Sequence, residues 1–256
     1  MQMLDRKGRE GFILDALTRD GSVSVATLAR ELGVSEVTIR GQLRALEERG
    51  LVARTHGGAR STSAQSVLER QRVHTAEKER IARAAAELVR DGDRIMIEAG
   101  TTTASIVKHL AGRRGVQIVT NSTLVFAHAR HNPGLAVIMT GGTFHRPSES
   151  LVGPVALRAI RDFHVRLAFV GTDGFTLRRG LTTQFAEGAE VIAAMHEQAD
   201  ETWLVADASK FGQAGFVRVL DLADLTGIVT DDGLSATARA EIVEAGTELR
   251  MAHPAD

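Results

Sequence analysis

The chain has 256 residues, enough for one large or two ordinary domains, and its 43% hydrophobic and 25% charged content is that of a water-soluble globular protein. It contains no cysteine, which excludes disulfides, a thiolate nucleophile and thiolate metal sites, and its net charge of −1 is too small to draw in nucleic acid by a global field. No run of about 18 apolar residues occurs and MQMLDRKGRE does not read as a signal peptide, so no membrane partner and a cytoplasmic location are expected.

Arg9 to Arg19 reads as a helix with Ile13, Ala16 and Leu17 inward. Asp20-Gly21 is a turn, and Ser22-Val23-Ser24 is expected to pair with Leu51 to Thr55 as a small wing. Between these strands lie two helices. Val25, Leu28, Ala29 and Leu32 fall at i, i+3, i+4 and i+7, one apolar stripe. Gly33 stops that helix, because glycine accepts the positive φ of a C-terminal cap. Ser35 can cap the next helix through its hydroxyl. There Ile39, Leu43 and Leu46 point inward, which leaves Ser35, Glu36, Thr38, Arg40, Gln42 and Arg44 for the outer side.

A helix-turn-helix protein uses the first turns of its second helix on base edges and phosphates. Thr38, Arg40 and Gln42 bring a hydroxyl, a bidentate cation and an amide to that task. Gly50 ends the helix, and His56-Gly57-Gly58 turns the chain after the strand. Arg54 and His56 complete the expected DNA contacts, with Arg40, Arg44, Arg54 and Arg60 supplying local positive charge. A plain packed helical hairpin with a solvated charged face would show the same spacing. The expected boundaries are 1–60 for the DNA-binding domain, with the helix-turn-helix at 23–42, a linker at 61–76, and a second domain at 77–256.

The stretch GSVSVATLARELGVSEVTIRGQLRALEERGLVARTHGG resembles the N-terminal winged helix-turn-helix of DeoR-type bacterial transcription regulators. VSEVTIR, the leucine three places on, the helix-ending G-L and the H-G-G carry the likeness. Gly41 and Gln42 stand where the family usually has Arg-Asp. The resemblance implies double-stranded operator DNA as a partner.

From Glu77 onward helices alternate with short apolar strands. Ile81, Ala84, Ala85 and Leu88 form a helical stripe, and strands are expected near 94–97, 116–119, 135–139, 166–170, 202–206, 227–230 and 248–251. Helices fall between them near 103–110, 124–130, 155–160, 187–199 and 236–245. Such alternation predicts a mainly parallel sheet covered by helices, with ligands at the carboxyl ends of the strands. Those ends read Glu98-Ala99-Gly100-Thr101-Thr102-Thr103, Thr120-Asn121-Ser122, Thr140-Gly141-Gly142-Thr143, Gly171-Thr172-Asp173-Gly174 and Asp207-Ala208-Ser209-Lys210. Gly100 and the three threonines at a helix start form an expected anion site, with phosphate as the anion. Taken singly, each of these is also explained by a tight turn with an N-cap.

TTTASIVKHL, VTNS, GGTFHRPSESLVGP, VGTDGF, GLTT, AEVIAAM and ADASKFG follow, in order, the pattern of the C-terminal effector domain of DeoR-type regulators. The resemblance implies a Rossmann-like α/β domain similar to ribose-5-phosphate isomerase, which binds a phosphorylated sugar or polyol. It implies that Gly100, Thr101, Thr102 and Thr103 hold the phosphate, and that Asn121, Gly141, Gly142, Asp173, Gly174 and Lys210 line the rest of the effector site. Glu98 and Ala99 replace the usual Asp-Ser, and Ile192 and Ala193 replace Lys-Arg.

The chain has no P-loop, no G-x-G-x-x-G and no H-E-x-x-H, so no cofactor, no metal site and no catalytic residues are expected. The expectation is a transcription regulator, a repressor of a carbohydrate operon, working as a homodimer or homotetramer. The alternative is a sugar-phosphate isomerase-like enzyme with an accessory DNA module, using Asp173, Glu187, Asp207 and Lys210 as acids and bases. An interaction protein without a small ligand is a third reading.

Overall fold

The computed structural model describes residues 5–20, 22–48, 51–55, 57–61 and 67–253. The chain divides into two compact units, Met1–Ser66 and Val67–Asp256. The expected turn glycine Gly21, the helix-ending Gly50 and the expected DNA contact His56 lie outside the described residues.

The first unit runs α1 (Arg6–Asp20), β1 (Ser22–Ser24), α2 (Val25–Leu32), α3 (Glu36–Glu48), β2 (Val52–Thr55) and β3 (Gly58–Ser61). Each boundary has a local cause. Ser24 Oγ accepts the Thr27 N–H at 3.0 Å and starts α2. Gly33 ends α2 at φ 64°, where a side chain would be strained. Ser35 Oγ accepts the Thr38 N–H at 3.1 Å and starts α3. Ile13, Leu17, Val25, Leu28, Ile39, Leu43, Leu46 and Val52 close into one core. Each such side chain, fully buried, contributes about 1.5–3 kcal/mol.

The wing differs from the expected pairing. β1 and β2 do not meet; β3 lies between them and pairs antiparallel with both. Gly58 makes this possible, since a Cβ there would sit 1.9 Å from the Val23 carbonyl oxygen.

The second unit begins with two helices, α4 (Val67–Arg70) and α5 (Thr75–Ala86). It continues β4 (Arg94–Ile97), α6 (Thr101–Ile106), β5 (Val116–Thr120), α7 (Thr123–Ala129), β6 (Leu135–Met139), β7 (Thr143–His145), β8 (Ser150–Val152), α8 (Pro154–Arg161) and β9 (Val165–Val170). The remainder is β10 (Gly174–Thr176), β11 (Gly180–Thr183), α9 (Ala186–Glu197), β12 (Ala199–Val205), β13 (Val217–Leu220), β14 (Gly227–Asp231), α10 (Ala236–Glu244) and β15 (Glu248–Ala252). Seven strands form one parallel sheet in the order β15-β14-β12-β9-β4-β5-β6.

Alternate residues of the central strands feed opposite helical layers, as strand geometry requires. Ile95 and Ile97 pack with Ile81 and Ala85 of α5 and Ile106 of α6. Met96 packs with Ile160 of α8 and with Val191 and Met195 of α9. Two small antiparallel additions, the β7–β8 hairpin and the β10-β11-β13 sheet, were not expected. Their strands of three or four residues are too short to show a period. No described helix is long and apolar enough to cross a membrane.

Candidate functional site

In the first unit, helical periodicity sorts α3 into two faces. Ile39, Gln42, Leu43 and Leu46 are buried, while Val37, Arg40, Gly41 and Arg44 form an exposed stripe at i, i+3, i+4 and i+7. Gln42, expected outside, is only 6% exposed and therefore sits on the inner side. The reason is geometric, since position 42 follows Ile39 by three and precedes Leu46 by four. Ser35 and Thr38 join hydroxyls at 2.9 Å, so both belong to the cap.

Two arginines, one on this face and one in β2, are paired with carboxylates of α3. Arg40 Nη2 donates to Glu36 at 3.1 Å and Arg54 Nε to Glu47 at 3.3 Å. Both pairs are exposed, where such bridges contribute about 0–1 kcal/mol, so exchanging the carboxylate for a phosphate or a base edge costs little. An open cleft of about 520 Å³ runs between α3 and the wing, lined by Arg40, Arg44, Glu47, Arg54 and Thr55 among others. Arg60 follows in β3, and its side chain lies outside the described set. Gly41 sits in the middle of α3, where glycine costs on the order of 1 kcal/mol relative to alanine.

In the second unit the strand order reverses between β4 and β9, because the chain adds β5 and β6 on one side and β9, β12, β14 and β15 on the other. A parallel sheet opens a crevice at the carboxyl end of such a point. Glu98 leaves β4 there and Gly171 leaves β9, and the Gly171 N–H donates to Glu98 Oε2 at 3.1 Å. Thr103 Oγ1 donates to the Glu98 carbonyl oxygen at 2.7 Å. A Cβ at Gly100 would meet that hydroxyl at 2.8 Å and push it off its bond to Glu98. Thr103 is fully buried and secures the loop, while Thr101 is half-exposed and Thr102 buried at the start of α6. The first N–H groups of that helix have no partner within it.

Charge gathers around this crevice. Asp173 accepts from Arg70 Nη1 at 3.1 Å, Thr183 Oγ1 at 3.0 Å and the Gln184 N–H at 2.9 Å. Lys78, on the inner face of α5, donates to the Arg70 carbonyl oxygen and is 8% exposed. Burial lowers its pKa to about 8, Asp207 pulls it back up, and Lys210 and Arg70 lower it further. Glu98 is also 8% exposed. Burial raises its pKa to about 8, the Gly171 N–H opposes the rise, Asp173 adds to it and Arg70 opposes it. At neutral pH this carboxyl is therefore mostly protonated, and an anion entering the crevice does not meet a fixed negative charge there.

The expected effector residues do not all share one place. Gly100, Thr101, Thr102, Asp173 and Lys210 follow three neighbouring strands, β4, β9 and β12. Asn121 is 1% exposed and spends its amide on the Ala99 N–H and the Leu151 carbonyl. Gly141 and Gly142 follow β6, four strand spacings or roughly 19 Å from β12. Gly142 has φ 117°, and a Cβ would lie 2.6 Å from the Val152 carbonyl oxygen, so it serves the β7–β8 hairpin. Gly174 is pressed against the Gln213 backbone in the same way. Arg70, Lys78 and Glu98 were not among the expected residues, although Lys78 falls on the apolar stripe with Ile81, Ala82 and Ala85. No group of three or more His, Asp or Glu among the described residues is placed to hold a metal.

Comparison with known proteins follows the same division. Residues 9–65 match the DeoR-like helix-turn-helix domain and residues 73–232 the DeoR C terminal sensor domain. The HTH-type transcriptional regulator GlpR of Haloferax volcanii is 35% identical over 96% of this chain and 96% of its own length. The lactose phosphotransferase system repressor of Lactococcus lactis is 32% identical over 96% of this chain and 99% of its own. A solved D-ribose-5-phosphate isomerase in complex with phospho-erythronic acid aligns over 52% of each chain at 15% identity and TM-score 0.38, too weak a likeness to carry an argument.

Proposed function

The chain belongs to the DeoR family of DNA-binding transcription regulators, and we propose from that premise that it is a cytoplasmic repressor of a carbohydrate operon, relieved by a phosphorylated sugar or polyol. The name of one relative, a lactose phosphotransferase system repressor, supports a sugar-linked role. The isomerase alternative is not favoured.

What supports the effector assignment is Arg70, which bonds Asp173 and lies beside Glu98 at the strand-order reversal, with the buried Lys78 donating to the Arg70 carbonyl oxygen and facing Asp207 and Lys210. Three cations suit a dianionic phosphate. Asp173 and the half-exposed Thr101 suit sugar hydroxyls. Gly100 and Thr102 offer backbone N–H groups at the start of α6. For the effector to change operator affinity, it must bind one arrangement of the protein better than another. Helix-turn-helix proteins read paired half-sites, so a homodimer or homotetramer is the working form.

The test is a melting-temperature screen of the full chain against a panel of sugar phosphates, the parent sugars and inorganic phosphate. A shift confined to one phosphorylated sugar, together with release of the protein's own upstream region in a gel shift, is the expected result. No shift with any phosphorylated compound refutes the effector assignment. In the same gel-shift assay Arg40→Ala weakens specific operator binding by about 1–3 kcal/mol, the effect of losing one bidentate base contact. Unchanged affinity places Arg40 away from the duplex.

A further inference from the structure

The outward stripe of α3 carries two residues that the rest of the chain does not explain. Val37 is 78% exposed in the first turn of the helix. Gly41 lies one turn further along the same stripe. It has no positive φ, it is not at a cap, and a Cβ built on it meets nothing within 4 Å. Neither backbone conformation nor internal packing therefore requires glycine at this helix-weakening position. The remaining reason for a bare backbone is the close approach of another surface.

The flanking charges say what that surface is. Arg40 and Arg44 border Val37 and Gly41 on the stripe, and Arg54 lies across the cleft. Cations around a narrow, partly apolar ridge are complementary to a duplex groove lined by phosphates. The apolar group that base edges present in the major groove is the thymine 5-methyl. We propose that Val37 packs on a thymine 5-methyl group in each half-site, and that the missing side chain at Gly41 lets α3 sit deep enough in the major groove to reach it. This rests on the assignment of α3 as the DNA-reading helix.

The experiment uses the full chain and duplexes that it selects itself from a random 20-base-pair library. Anisotropy titrations at fixed salt compare the selected duplex with copies in which each thymine in turn is replaced by deoxyuridine, which removes the methyl alone. For the unaltered protein, one or two positions per half-site lose affinity about 5- to 10-fold, the effect of one lost base contact. Val37→Ala binds the thymine duplex more weakly by a similar factor and shows no further loss with deoxyuridine at those positions. Gly41→Ala melts at a higher temperature yet binds the selected duplex at least about tenfold more weakly, since the added methyl lifts the helix.

Indifference of the unaltered protein to every deoxyuridine overturns the proposal while leaving the DNA-reading role of α3 intact. So does a Val37→Ala variant that keeps the methyl dependence. Failure to select any duplex above random sequence overturns both, and points to a protein surface as the occupant of the stripe.

Discussion

Glu98→Gln raises the melting temperature of the sensor unit at pH 8 and leaves it nearly unchanged at pH 4. The carboxyl titrates near 4.5 when the chain is unfolded and near 8 in the folded crevice. Between those values the folded protein holds a proton that the unfolded chain has released, so stability falls as pH rises through this window. Below pH 4.5 both states are protonated and nothing is lost; above pH 8 the full penalty is present. At pH 7 the penalty amounts to about 3 kcal/mol, from roughly 1.4 kcal/mol per unit of displacement. Glutamine keeps an oxygen for the Gly171 N–H and removes the ionisation. Melting curves from pH 4 to pH 9 check this, and a constant offset between the two proteins across that range refutes the buried-acid account.

Lys78→Met separates stability from response. The ammonium is displaced from 10.5 to about 8 by burial, so below pH 8 the folded state carries a charge that it holds poorly. That cost fades as pH rises from 8 to 10.5, where the folded protein releases its proton first. Methionine fills the same space without the charge and stabilises the unit by on the order of 2 kcal/mol at pH 7. The same change removes the buried cation that sits beside Arg70 and Lys210, and the expected result is loss of the melting-temperature shift given by the effector. A stabilised protein that no longer answers its ligand is the expected pairing for a site held under strain. A variant that is destabilised, or that keeps the full ligand shift, contradicts the role assigned to Lys78.

Most of the architecture was legible from periodicity. The stripe Ile39, Leu43 and Leu46, the glycine stop at Gly33 and the strands ending before Glu98, Asn121, Thr140 and Gly171 lie within a residue of where spacing puts them, while β12 starts at Ala199, three residues ahead of the expected 202. The errors also have physical causes. Strand β3, Gly58-Ala59-Arg60-Ser61, has no apolar alternation to announce it, and its first residue must be glycine because the β1 backbone lies against it. Gln42 was assigned by its chemistry when its phase placed it inside. Lys78 was legible in principle, as a cation on an apolar stripe, but Arg70 was not, since its meeting with Asp173 joins residues far apart in sequence. The threonine-and-glycine strand ends were seen as one rim, yet strand order, which no local pattern encodes, divides Gly141 and Gly142 from Lys210.

The seam beside Glu98 also sets a timetable. Ile95 and Ile97 on one wall wait for Leu167 and Phe169 on the other, whereas β4, β5 and β6 close on one another soon after they emerge. Long-separated pairings of this kind form late, because much chain must be ordered before they repay it. The reading head, with its own core, is complete long before. A chain interrupted ahead of Val165 thus owns a finished first unit but only β4, β5 and β6 of the seven-stranded sheet, one wall of the crevice without the other.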